Sequence, residues 1–177
     1  ERDLYNKFDD NVVLLLDTYH DKTNNVTFSS NILGSRYDDE TTFNGSNSNG
    51  SYNTFWDVKT NITGLGCTYE FKIPFTSLTF QTKEIVEMGL KIVRIIARKN
   101  ETVIYPRSDT TLSNIAYRID NAKTILFEGL KSKKPFYITP YLTANINEQK
   151  KLDVTGTSYA TETEIFKRNH FSRSHGF

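Results

Sequence analysis

Residues Asn11 to Asp21 read NVVLLLDTYHD, and this stretch decides the fold. Val12 to Leu16 is an unbroken apolar run that stops at Asp17, Tyr19, His20 and Asp21. It is too short for a helix and is bounded by turn-forming residues, Asp9-Asp10-Asn11 before it and Lys22-Thr-Asn-Asn25 after it. A short apolar run with such flanks suits a strand buried on both faces. Its polar end is then delivered to the rim of a sheet.

The next segment, Val26 to Leu33, alternates apolar and polar residues, the period of a half-buried strand. Asp21 to Asn25 can turn the chain between the two, since Asn tolerates turn geometry. Gly34 to Asn53 is rich in Ser, Asn, Gly, Asp and Thr and reads as a long surface loop. Phe55 to Ile62 alternates again and pairs through Gly64-Leu65-Gly66 with Thr68 to Ile73 as a hairpin, which Pro74 ends because proline donates nothing to a ladder. Met88 to Arg98 reads as a strand interrupted by Arg94 and Arg98, and Asn100-Glu101 turns it into Thr102 to Tyr105. Ile115, Tyr117 and Ile119 alternate, and Thr124 to Leu130 supplies another short strand.

These elements predict an all-β fold, an antiparallel β-sandwich of jelly-roll type followed by a C-terminal extended segment. Aromatic content of 13%, with ten Tyr and twelve Phe, agrees with β structure. Lys131-Ser-Lys-Lys134 reads as a basic linker, dividing a sandwich over 1–134 from a segment over 135–177. In that second part Phe136 to Ile146 is aromatic and extended. The net charge of +1 provides no basic excess, so nucleic acid is not an expected partner. Cys67 is the single cysteine, which leaves no internal disulfide and no thiolate metal site. No Ser-His-Asp order, phosphate loop or HExxH motif suggests an enzyme.

Candidate site residues fall into two groups. Asp17, His20 and Asp21, with Asp10 nearby, offer oxygen and imidazole ligands at a strand end. Calcium suits the oxygens, whereas the histidine favours a transition metal. Terminal polar residues of a core strand would look the same. Trp56, with Tyr52 and Phe55, could form the flat aromatic surface that covers a sugar ring. The alternation of its strand equally places Trp56 in a core. Arg94, Arg98 and Glu101 form a possible charged row for ligand hydroxyls or an Arg–carboxylate pair.

Several motifs occur in a recognisable order. They are LDTYHD (Leu16 to Asp21), FWDVKTNI (Phe55 to Ile62), YEFKIPFTSLTF (Tyr69 to Phe80), VRIIARKNE (Val93 to Glu101), FEGL (Phe127 to Leu130) and ITPYL (Ile138 to Leu142). Together they resemble the family 9 carbohydrate-binding-module-like sandwich of large Gram-negative outer-membrane proteins, which is joined to a C-terminal β-barrel. The resemblance implies a non-catalytic glycan-recognition domain, with oligo- or polysaccharide as partner and calcium as a structural ion. It also implies a place in the outer membrane, the periplasm or at the cell surface, with 135–177 starting the barrel. The family has strands preceding LDTYHD, so the resemblance further implies an open edge beside that strand, to be filled from another chain. The alternative expectation is a plug, scaffold or docking domain with no affinity for sugar.

Overall fold

In the computed structural model, Asn11–Asp17 forms strand β1, at the centre of a seven-stranded antiparallel sheet. Residues 9–64, 66–132, 139–152, 156 and 159–172 are described, and the chain divides into two units, 1–133 and 134–177. The first unit continues with β2 (Asn25–Asn31), β3 (Arg36–Thr42), β4 (Asn47–Asn49), β5 (Asp57–Thr63), β6 (Gly66–Lys72), β7 (Ile85–Ile96), β8 (Glu101–Tyr105) and β9 (Lys123–Glu128). The sheet order is β4-β3-β2-β1-β7-β8, with β9 also paired to β7. β7 is long enough to take both partners, β8 along Ile92 to Ile96 and β9 along Ile85 to Leu90.

The apolar run of β1 is buried on both faces because the sheet is covered on both sides. Leu14 and Leu16 join Val26, Phe28, Val86 and Met88 beneath the β5–β6 hairpin, which contributes Val58 and Phe71; Trp56, Leu78 and Phe80 belong to the same cluster. Val13 and Leu15 face the other way, packing with Val93 and Ile119. The result is a sandwich-like all-β arrangement, one wide sheet with a two-stranded layer on one face and an irregular segment on the other.

That irregular segment is Arg107 to Ala122, where the alternating Ile115, Tyr117 and Ile119 form turns instead of a strand. Their spacing serves packing, with Ile119 fully buried on the sheet. Lys91 clamps this cover from below. Its Nζ, also fully buried, donates to the carbonyls of Ile115 and Arg118 at 2.7 Å each and to Asn121 Oδ1 at 3.3 Å.

Two expectations are corrected here. The stretch Gly34 to Asn53 is no loop: it contains β3 and β4, paired in register with the sheet. Its buried residues are Asp38, Asp39 and Thr41, none of them apolar, and hydrogen bonds hold the two carboxylates, so apolar periodicity never marked them. Nor is there an open edge beside β1, since β2 and β7 occupy both its sides. The outer strands are β4 at one end and β8 with β9 at the other.

The second unit holds an antiparallel hairpin, β10 (Thr139–Leu152) with β11 (Tyr159–Ser172). Phe136 to Ile138, the start of the expected first barrel strand, lies outside the described residues.

Candidate functional site

Three neighbouring strands carry small polar side chains on the face that holds Val13 and Leu15. Cross-strand partners in an antiparallel sheet share a face. The register therefore aligns Val13 with Ser29 and Tyr37, Leu15 with Thr27 and Asp39, and Asn25 with Thr41 and Ser48. The result is a polar floor. Its side wall comes from the turn at Gly45 and from Asn114 and Tyr117 of the covering segment. These residues enclose a cavity of about 360 Å³.

The walls are fastened to each other. Asn44 N–H donates to the Thr23 carbonyl at 2.8 Å, and Asn44 Oδ1 accepts from Ile119 N–H at 3.1 Å. Asn114 Nδ2 donates to the Gly45 carbonyl at 3.4 Å. Phe43, Asn44 and Gly45 all have positive φ, a tight reversal that brings Gly45 against Tyr117. A Cβ on Gly45 would come within 2.9 Å of Tyr117 Cβ, so only glycine allows this approach.

Two polar groups dominate the cavity. The Asp39 carboxylate, 8% exposed, accepts from Asn49 N–H at 3.0 Å and Tyr37 Oη at 3.3 Å, with a further hydrogen bond from Ser48 Oγ. Ser29, 3% exposed, has a hydroxyl with no hydrogen-bond partner among the described residues. A buried polar atom left in this state is costly, and in native structures it calls for an explanation. At a cavity wall such a hydroxyl is open to an ordered water or to a ligand group. Among the described residues the lining holds the Asp39 carboxyl group and no Lys, Arg or His.

The sequence-derived candidates lie elsewhere. Trp56 is 5% exposed and belongs to the core: its ring stacks on Phe71 at 5.8 Å, meets Phe28 edge-on at 5.2 Å, and its Nε1 donates to Asp38 Oδ1 at 3.1 Å. A sugar platform needs a free ring face, and this indole has core neighbours on both counts. Tyr52 packs against the same cluster, whereas Phe55 is exposed. Arg94, Arg98 and Glu101 form no continuous row, because Arg98 sits in a 3-10 turn, Ala97–Lys99, after the strand has ended. Glu101 instead lies 3.9 Å from Lys99.

Asp17, His20 and Asp21 do not converge either. Asp17 accepts from the N–H groups of Asp21 at 3.0 Å and Lys22 at 2.7 Å, closing the turn after β1. Burial of Asp21 acts to raise its carboxyl pKa, but hydrogen bonds from Asn24 and Thr23 outweigh that and hold it below the usual range. His20 points to Glu87 at 3.0 Å and Thr124 at 3.2 Å. Among the described residues no group of three or more His, Cys, Asp or Glu side chains is placed to hold a metal ion. Each carboxylate is engaged in ordering its own loop.

Ser29 and Asp39 were missed for a definable reason. The only signal for β2 was polar alternation at Thr27 and Ser29, which reads as a solvent-facing side until the covering segment is known. Compared with protein-family models, curated proteins and solved structures, the chain matches none, so the cavity geometry carries the functional reading.

Proposed function

We propose that the chain is a non-catalytic, carbohydrate-binding-like β domain of a bacterial outer-membrane protein that recognises a glycan at the cell surface or in the periplasm. The single observation carrying this reading is the Ser29–Asp39 cavity. Hydroxyl side chains of Ser29, Thr27, Thr41 and Ser48, one carboxylate and two tyrosines line it. A sugar presents the same pattern in complement, hydroxyls that donate and accept around a ring with apolar C–H faces. Concave sites with a few convergent polar groups are the usual form of small-ligand sites, and this volume is at the small end of their range.

The resemblance of the motif order to family 9 carbohydrate-binding-module-like domains supports the glycan class. The length of β10 and β11 supports the membrane context. Each has 14 residues, and a barrel strand needs roughly 9–11 to cross the hydrocarbon core.

The test is to titrate the full chain with a panel of soluble and insoluble glycans, with and without calcium. Saturable binding that falls at least about tenfold in Ser29→Val, with the fold intact by circular dichroism, is the expected result. Val fills the space of the hydroxyl and leaves no donor.

A second reading, a protein-docking domain without sugar affinity, draws on β8. Val103 and Tyr105 of this outer strand are about half exposed, and an outer strand offers unpaired backbone groups to another chain. The absence of saturable binding across the whole panel would favour it.

A further inference from the structure

Resting on the glycan reading, we infer that the Ser29–Asp39 cavity selects a sugar bearing a free, protonated amine beside a hydroxyl, such as a de-N-acetylated 2-amino sugar. The carboxylate is the reason. Asp39 lies nearly buried among neutral groups, and among the described residues the lining carries no basic side chain. Its hydrogen bonds come from a tyrosine, a serine and a backbone N–H, all neutral donors. An ionised carboxylate offers about four acceptor positions, so these three leave capacity for one more donor. A charged donor is the one that gains most there, because charge-assisted hydrogen bonds are about twice as strong as neutral ones.

The second group fixes the rest of the ligand. Thr27 is opposite Asp39 and Ser29 is opposite Tyr37, so Ser29 and Asp39 are diagonal neighbours across β2 and β3. Diagonal positions are separated by roughly 7–8 Å at Cα and less at the side chains. A vicinal amino alcohol spans that gap with a hydrogen bond at each end, its ammonium on Asp39 and its hydroxyl on Ser29 Oγ. The rings of Tyr37 and Tyr117 also line the cavity, and aromatic faces attract cations. An N-acetylated sugar would lose the charge and bring an extra group into a small cavity. Glucose would place a neutral hydroxyl on the carboxylate.

Calorimetry on the full chain with glucosamine, glucose and N-acetylglucosamine, on the acid side of neutrality, tests this. Glucosamine is expected to bind about tenfold or more tighter than the other two, the size of one charge-assisted contact. The preference should collapse in Asp39→Asn, which keeps the side-chain shape, while Ser29→Ala should weaken glucosamine binding without abolishing the preference. Equal binding of glucose and glucosamine overturns the amine inference and leaves the glycan reading standing. Failure of every sugar here and across the wider panel removes both. If Asp39→Asn does not fold, the comparison of the three sugars on the native chain decides alone. Binding of glucosamine that survives in Ser29→Ala and Asp39→Asn alike would place it outside this cavity and overturn the assignment.

Discussion

Trp56 Nε1 donates to Asp38 Oδ1 at 3.1 Å, joining the lone tryptophan to a carboxylate that is only 1% exposed. The other oxygen of Asp38 accepts from Thr54 N–H at 2.7 Å. Asp38 thus ties the chain entering β5 to β3, while its neighbour Asp39 faces the opposite side of the sheet and the cavity. One strand supplies a structural acid and a cavity-facing acid at consecutive positions.

Asp38→Ala is therefore expected to destabilise the domain by about 1–4 kcal/mol, because the buried Trp56 N–H loses its acceptor at about 1–3 kcal/mol and the part-buried Thr54 N–H loses its own at less. Urea unfolding followed by Trp56 fluorescence measures this directly. A loss under about 1 kcal/mol would show that the pair contributes little. By the same logic Trp56→Ala reports on the core and not on ligand recognition, at about 3–5 kcal/mol read by circular dichroism, since the variant has no tryptophan.

The turn after β1 leads to a different expectation for Asp17. Its carboxylate holds two backbone N–H groups while His20 and Lys22 adopt positive φ, at 55° and 60°. Asp17→Ala should cost about 2–4 kcal/mol, with the same loss in excess calcium and in chelator. A melting temperature that rises with calcium in the native chain and not in Asp17→Ala would reveal ligation instead.

Lys91 makes stability depend on pH in the alkaline range. Burial lowers its ammonium pKa from 10.5 to about 8, with Asp120 acting to raise it and Arg118 to lower it. Between those two values the unfolded chain binds more protons at this site than the folded one, so stability rises with pH across that window. Below about 8 both states are protonated, and the folded state bears the full cost of the buried charge. Denaturation curves across the window should show this rise flattened in Lys91→Met. At neutral pH that variant relieves the buried charge while the carbonyls of Ile115 and Arg118 lose their donor, so its net loss should be smaller than the roughly 1–3 kcal/mol that the missing hydrogen bonds would cost alone. A slope unchanged in Lys91→Met would assign the pH dependence to other groups.

The part of the fold legible in the sequence was the part built from apolar side chains. Val12 to Leu16 declared a strand buried on both faces, and the alternation around Val26, Val58, Phe71 and Phe127 marked strands that pack with it. Trp56 was readable as either platform or core, since a hydrophobic ring at a strand start satisfies both; its contacts with Phe28, Phe71 and Asp38 settle it as core.

The sequence by itself determined the all-β class, because period-2 apolar patterning is local and survives in the bare chain. Only the tertiary structure decided that Arg36–Thr42 is a strand, that β1 has no open side, and that Ser29 and Asp39 share a cavity. The physical reason is the same in each case. Polar side chains become interior only when distant segments bring hydrogen-bond partners or a cover, here Thr54 and Trp56 for Asp38, and Gly45, Asn114 and Tyr117 over Ser29 and Asp39. Long-range pairing of that kind leaves no periodic mark in sequence.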